Sequence, residues 1–211
     1  MNITRAYWIA LLLVSTTLIA ALWAWFSLPD GAGVPVHYLG LDGHAHTGAS
    51  RGVIWVIPFV ALVVLMVLRI VARRGVSAAS QAYEATLIGV TGVLLVAEAT
   101  LIGRAADPGF DVMGPVAASV GVLLLALGNV LGKARHNAVF GVRTPWTLAD
   151  PRVWDKTHRF VGRGWVLSGL ALIALAFVLK GEAQLGLAIG ACCALPPLVG
   201  VAWSRSLARR S

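Results

Sequence analysis

Six long apolar runs, separated by short polar stretches, dominate the pattern of this chain. Most of the runs reach the roughly 20 residues that a helix needs to cross about 30 Å of hydrocarbon, and the alternation typical of barrel strands is absent. The pattern therefore predicts an all-α integral membrane protein with six transmembrane helices. The predicted spans are Tyr7–Leu28, Val53–Val71, Ala82–Gly103, Val112–Gly132, Gly164–Leu179 and Ala183–Ser204.

Composition supports a membrane location. Of the 211 residues, 58% are hydrophobic and 12% are charged, and the mean hydropathy is +0.82. These values lie far outside the range of soluble domains. The first apolar run follows Arg5, as in a secretory signal peptide, but it continues to Leu28 and lacks a clear small-x-small cleavage site. We therefore expect an uncleaved first span.

Basic residues are distributed unequally between the two sides of the predicted membrane. With six spans, both termini share a side with the second and fourth loops. That side carries all of the 17 lysines and arginines except Arg51, Arg104 and Lys180. Because cytoplasmic loops hold the excess of Lys and Arg, we expect a multi-pass protein of the cell membrane with both termini in the cytoplasm.

The fourth loop, Phe140–Gly164, which we call the signature segment, is the part of the chain richest in polar chemistry. Pro145 biases the residue before it toward an extended conformation, which predicts a turn. Asp150 followed by Pro151 is typical of a helix N-cap and first helical position. Apolar residues then recur at spacings of three and four, which predicts a cytoplasmic amphipathic helix that ends near Gly162.

Two groups of polar residues in this segment, Arg143–Pro145 and Thr157–Arg159, are candidates for a ligand or partner site. Folded against each other, their guanidinium, hydroxyl and imidazole donors would hold an anion or a carboxylate. In the alternative interpretation, the basic helix lies on anionic lipid, with Trp146, Trp154 and Trp165 at headgroup depth and the histidine stacked on Trp154. The full candidate set is Arg143, Thr144, Pro145, Trp146, Thr147, Trp154, Thr157, His158 and Arg159.

A stripe of polar residues, Glu84, Thr91 and Glu98, follows one face of the third span. At 100° per residue the three lie within about 40° of one another, and this face should point into the bundle. A carboxylate as deep as Glu98 requires a proton, a partner or water. Arg104 is the nearest candidate partner. Two interpretations of Glu98 are left open. It is either a proton or ligand site, or a structural residue that forms a hydrogen bond to another helix.

Glycines at helical spacing predict close helix contacts inside the bundle. They are Gly114, Gly121 and Gly128 in the fourth span, and Gly186 and Gly190 in the sixth. Small residues on one face allow two helices in a membrane to approach closely. We expect these contacts to lie within one chain rather than between copies.

The first external loop contains three histidines, His37, His44 and His46, beside Asp30 and Asp42. Imidazole and carboxylate groups suit zinc or copper, and histidines also titrate near external pH. The spacing is irregular, however, and no cysteine lies in the loop. We therefore expect solvated histidines, no metal site and no cofactor.

The signature segment closely resembles that of the SdpI family, the membrane immunity proteins of the sporulation-delaying-protein toxin system. The matching residues read Phe140-Gly-Val-Arg-Thr-Pro-Trp-Thr-Leu148, then Val153-Trp154, then Thr157-His158-Arg159, and then Gly162. The first external loop resembles the N-terminal domain that usually precedes this family's domain, although the spacing after His37 departs by about one residue. The resemblance predicts a two-helix region at 1–81 and an SdpI-like four-helix domain at 82–211, with its signature loop at 133–163.

The resemblance implies a bacterial membrane immunity protein and receptor that gives resistance to a secreted toxin peptide. It also implies that the signature segment holds a cytoplasmic transcriptional repressor at the membrane, without direct binding of nucleic acid. The residues leave open a transporter for a small anion or lipid-linked phosphate, with Glu98 as the proton site and the arginines as a gate. An enzyme is not expected, because the sequence shows no nucleophile elbow and no convincing metal constellation.

Overall fold

The computed structural model of the protein describes residues 5–29, 32–39, 45–73, 81–134 and 141–209. Within these ranges the chain forms long helices joined by short connections. The elements, in chain order, are α1 (Arg5–Ser27), β1 (Val34–Leu39), β2 (Ala45–Ser50), a 3₁₀ helix (Arg51–Trp55), α2 (Val56–Arg73), α3 (Gln81–Ala106), α4 (Met113–Leu131), α5 (Pro145–Ala149), α6 (Pro151–Val178) and α7 (Glu182–Ala208).

The described residues contain six helices that are long and apolar enough to cross a membrane: α1, α3, α4, α6, α7, and α2 together with the 3₁₀ helix. The predicted all-α membrane fold is thereby confirmed. Because successive spans alternate in direction, α1, α3 and α6 begin at the end of the bundle where α2, α4 and α7 finish. We call this the signature end, because it carries the signature segment, and we call the opposite end the hairpin end.

The fifth span differs from its prediction. The helix begins at Pro151, as predicted, but α6 then continues without a break to Val178 and is 28 residues long. The predicted end near Gly162 was wrong. Gly162 is helical and packs against α4, where a Cβ atom on it would lie 2.7 Å from the carbonyl oxygen of Gly128. This glycine serves a close helix contact, so its presence does not end the helix.

A β-hairpin that the sequence analysis did not predict lies at the hairpin end. Strands β1 and β2 are antiparallel, and their register runs from Val34 opposite Ser50 to Leu39 opposite Ala45. The next residue, Arg51, donates hydrogen bonds to the carbonyl oxygens of Leu28 at 2.9 Å and Pro29 at 2.5 Å. The start of the second span is therefore tied to the end of α1.

Buried apolar side chains form one set between α1, α2 and α3 and another between α4, α6 and α7. The first set includes Ala10, Leu65 and Leu87, and the second includes Leu124 and Leu172. Helix α3 contacts α1, α2 and α4, so it joins the two sets. The predicted domain boundary at residue 81 stays a prediction.

Helices α4 and α6 approach each other closely at two pairs of glycines. A Cβ atom on Gly121 would lie 2.8 Å from the carbonyl oxygen of Gly169, and one on Gly128 would lie 2.5 Å from that of Gly162. The predicted glycine contact of the fourth span is therefore confirmed at Gly121 and Gly128, and it lies within the chain.

The predicted glycine contact of the sixth span was wrong. Among the described residues, nothing lies within 4 Å of a Cβ atom built on Gly190, and Gly186 meets only the methyl carbon of Met113 at 3.9 Å. The glycine of α7 that packs closely is Gly200, which lies against Val161 of α6. The GxxxG spacing alone did not identify which glycines face another helix.

Candidate functional site

The signature segment begins with the short helix α5, which is capped by two threonines. Thr144 has an extended backbone, with φ −113° and ψ 159°, as the residue before a proline should. Its side chain accepts a hydrogen bond from the backbone N–H of Thr147, and the Thr147 hydroxyl oxygen accepts one from the backbone N–H of Thr144 at 2.9 Å. This reciprocal capping box, with Pro145 at the first helical position, fixes the turn that the sequence predicts.

Asp150 caps the start of α6. Its carboxylate oxygen accepts a hydrogen bond from the backbone N–H of Arg152 at 2.7 Å, and Pro151 occupies the first helical position. The predicted N-cap is confirmed. Because α5 ends at Ala149, the chain passes directly from one capped helix into the next.

His158 is buried and holds the loop before α5 in place. The backbone N–H of Val142 donates to its Nε2 atom at 2.9 Å, and its Nδ1 atom lies 2.8 Å from the carbonyl oxygen of Trp154. An acceptor at Nε2 and a donor at Nδ1 define a neutral imidazole. The predicted stacking on Trp154 is confirmed, with ring centroids 3.9 Å apart.

The loop also depends on Gly141, whose φ is +104°. Residues with a side chain rarely adopt this conformation. A Cβ atom on Gly141 would also collide with the Nε2 atom of His158. The glycine of the motif is therefore required both by the backbone turn and by the histidine ring beside it.

Three tryptophans connect this region to neighbouring elements. The indole nitrogen of Trp146 donates to the Ser204 hydroxyl at 2.7 Å, and that of Trp154 donates to the Ala134 carbonyl oxygen at 3.0 Å. The indole nitrogen of Trp165 donates to the Cys193 carbonyl oxygen at 3.1 Å. Trp154 is completely buried inside the protein and so does not contact lipid. The headgroup depth of the three tryptophans stays a prediction.

The structure does not bring the two cationic residues of the motif into one site. Arg143 lines a cavity of about 360 Å³ between the signature segment, α3, α4, α6 and α7, together with Thr86 and Trp165. Arg159 instead lines a groove between α4 and α6. Both side chains are exposed. A single anion held by both guanidinium groups, as the sequence suggested, is not supported by this arrangement.

The polar stripe of α3 is partly confirmed. Thr91 and Glu98 are buried, whereas Glu84 is partly exposed near the signature end. The Thr91 hydroxyl donates to the carbonyl oxygen of Leu87 at 2.8 Å. Neither carboxylate oxygen of Glu98 has a hydrogen-bond partner among the described residues.

Arg104 does not pair with Glu98, so this prediction was wrong. Its guanidinium group forms a salt bridge with Glu182 at the start of α7 and donates to the carbonyl oxygen of Phe110 at 2.8 Å. These partners lie at the hairpin end, beyond the last turn of α3. Glu98 lies deeper in the bundle and forms no ion pair with this arginine.

The histidines of the first external loop fall on the hairpin or outside the described residues. His37 pairs with Thr47, and His46 pairs with Tyr38, on adjacent rungs of the hairpin. His44 lies outside the described residues, as do the side chains of the other two. Metal binding by this loop stays untested.

Two residues important to the site were missed from the sequence. Val142 supplies both the N–H that binds His158 and the carbonyl oxygen that accepts the Thr147 hydroxyl at 2.9 Å. Ser204 anchors Trp146 from the far end of the chain. Neither has a side-chain signal in the sequence, because one acts through its backbone and the other through a contact between distant elements.

The six spanning helices and the capped, buried-histidine loop define a polytopic membrane protein with one structured polar segment between its fourth and fifth spans. Residues 133–203 match the sequence model of the SdpI/YfhL protein family, so the predicted resemblance to the SdpI family is confirmed over these residues. Over 58 residues the chain is 40% identical to the Immunity protein SdpI of Bacillus subtilis (strain 168). That match covers 28% of this chain and 28% of the relative's length. No solved structure matches the chain.

Proposed function

We propose that this protein is a bacterial membrane immunity protein that protects the cell from a secreted toxin peptide. The observation that carries the proposal is that the family motif, read from the sequence, folds into one hydrogen-bonded unit. His158, Gly141 and the threonines Thr144 and Thr147 each have a structural partner within the motif. Such a unit presents a fixed surface at the signature end, which is what recognition of a partner requires.

Protection is tested by toxin challenge of cells that lack their own immunity gene. The full chain, expressed with a C-terminal tag, should allow growth in the presence of the sporulation-delaying toxin peptide, whereas the empty vector should not. Gly141→Ala should abolish protection at an equal amount of membrane protein, because the new Cβ atom meets the His158 ring.

Gly132→Ala is the matched control for this experiment. It lies at the same end of the bundle, and its Cβ atom would make only an ordinary contact, 3.7 Å from the Arg159 Cα atom. Cells with the control should survive like the wild type. Equal killing of cells with and without the wild-type gene would refute the immunity function. Full protection by Gly141→Ala would show that the signature segment is not needed for protection.

For signalling, we place the signature end in the cytoplasm and assign the docking of a transcriptional repressor to its exposed basic residues. Arg143 and Arg159 are exposed, whereas Trp154, Thr157 and His158 are buried and shape the surface from beneath. Exposed guanidinium groups recognise carboxylates by paired hydrogen bonds. The docking partner should therefore offer an acidic surface.

Docking is tested by capture of the proposed repressor partner on membranes that contain the protein. Arg143→Gln combined with Arg159→Gln should reduce capture at least tenfold, because charge-assisted bonds contribute most of such recognition. Arg205→Gln, on the exposed surface of α7, should leave it unchanged. Equal capture by both variants would contradict this assignment without affecting the immunity test.

Glu98 favours a second candidate function, a proton-coupled carrier for a small anion. The side chain is completely buried, and its carboxylate oxygens have no partner among the described residues. In purified protein reconstituted into liposomes, Glu98→Gln should abolish proton-coupled anion uptake, whereas Glu84→Gln, on the same helix but partly exposed, should retain it. Unchanged uptake in Glu98→Gln would eliminate the carrier function.

A further inference from the structure

A groove of about 660 Å³ lies between α4 and α6 at the signature end. Its floor contains Gly128 and Gly162, at the point where the two helices cross most closely. Each of these glycines packs against the backbone of the other helix, and residues of both helices line the groove. A ligand in it can therefore contact both helices at once.

Three basic residues, Lys133, Arg159 and Arg163, line this groove, and no acidic residue does. All three are exposed, and none of their side chains forms a hydrogen bond or ion pair with another residue in the described part of the chain. Arg159 and Arg163 are four positions apart on α6, a spacing at which like charges repel. A bound anion would remove this repulsion.

The polar and apolar parts of the groove are arranged along the helix axis. The basic residues lie at the signature end, whereas Val166 and Leu167 of α6 continue the groove toward the middle of the bundle. At 1.5 Å per residue, Leu167 is about 12 Å deeper than Arg159. Its side chain is 67% exposed, so it faces the lipid phase.

We propose that this groove is a binding site for one anionic phospholipid. The phosphate group lies among Lys133, Arg159 and Arg163, and an acyl chain runs along the helix past Leu167. The groove is basic at the signature end and apolar deeper in the bundle. A phospholipid is charged at its headgroup and apolar along its acyl chains, so the two match. This proposal does not depend on the immunity function, because it uses only the charge and shape of the groove.

The proposal is tested by lipid retention on the purified full-length protein in a neutral detergent, measured by native mass spectrometry. Phosphatidylglycerol and phosphatidylcholine with identical acyl chains are titrated separately. We expect one phosphatidylglycerol per protein, bound at least tenfold more tightly than phosphatidylcholine. Glycerophosphoglycerol, the phosphodiester that has the same single negative charge without acyl chains, should not displace it at a hundredfold excess.

Two double variants with equal loss of charge distinguish the groove from general attraction to the basic end of the protein. Arg159→Gln with Arg163→Gln should weaken phosphatidylglycerol binding about thirtyfold, since each basic residue near an anionic lipid contributes roughly fivefold. Arg205→Gln with Arg209→Gln, on α7 outside the groove, should change binding less than twofold.

Equal weakening by the two double variants, equal binding of the two lipids, or displacement by glycerophosphoglycerol would each overturn the proposal. The first two results would indicate unspecific attraction, and the third would indicate a site for a soluble anion. Lys133→Gln, on the opposite wall of the groove, gives an independent single variant. It should weaken binding about fivefold even if the double variant in α6 fails to fold.

Discussion

Two threonines of the signature segment are equally buried but differ in their hydrogen bonds. The Thr147 hydroxyl bonds to the backbone N–H of Thr144 and to the carbonyl oxygen of Val142, both at 2.9 Å. The Thr157 hydroxyl has no hydrogen-bond partner among the described residues. The same residue type therefore has different roles at the two positions, and the sequence motif does not distinguish them.

Substitution of each threonine by valine tests this difference. Thr147→Val should lower the free energy of unfolding by about 1–3 kcal/mol, because it leaves the buried N–H of Thr144 without an acceptor. Thr157→Val should change it by less than about 0.5 kcal/mol or raise it, because no hydrogen bond is lost. Thermal and denaturant unfolding of the purified proteins in detergent would measure both. A larger loss for Thr157→Val than for Thr147→Val would contradict the hydrogen bonding described here.

At the scale of the elements, the crossing of α4 and α6 is the closest helix contact of the second set of spans. Gly128 and Gly162 each lie against the other's carbonyl oxygen. The helices can approach to this distance only where neither residue carries a Cβ atom. The crossing fixes the position of α6 and, with it, that of His158.

Gly128→Ala should therefore destabilise the protein by about 1–3 kcal/mol, because the new methyl group must push the two helices apart. Gly190→Ala is the matched control in α7, where a Cβ atom meets nothing within 4 Å. It should leave stability unchanged or improve it, since alanine favours a helix more than glycine does. The midpoints of thermal unfolding of the two variants in detergent give the comparison.

Elements that depend on local signals were predictable from the sequence, and those that depend on distant contacts were not. The cap of α6 acts over two residues, so Asp150 and Pro151 predicted it. Pro145 predicted the extended backbone of Thr144, but the cap that Thr144 provides for α5 was not predicted. The continuity of α6 depends on the packing of Gly162 against another helix, which no local pattern encodes. Likewise, the stacking of His158 on Trp154 follows from helical spacing, whereas its bond to Val142 depends on how the preceding loop folds back.

At the scale of the whole molecule, the arrangement predicts which end of the bundle lies in the cytoplasm. Arg152 and Lys180 are both exposed and lie close to opposite ends of α6. The excess of basic residues at the signature end predicts that Arg152 lies inside the cell and Lys180 outside.

Labelling of single cysteines tests this orientation, in a background in which Cys192 and Cys193 are replaced by alanine. A membrane-impermeant maleimide should label Lys180→Cys in intact cells. It should label Arg152→Cys only after the cells are permeabilised. The reverse pattern would invert the orientation and exclude docking of a cytoplasmic partner at the signature segment.

The unbroken α6 also connects the two ends of the helix bundle mechanically. Its 28 residues extend about 42 Å, and they join Asp150, at the cap of the signature segment, to Leu179 at the opposite end. No break in the helix between Pro151 and Val178 provides a hinge. A displacement or rotation of the helix near Leu179 would therefore be transmitted directly to His158 and the loop bound to it.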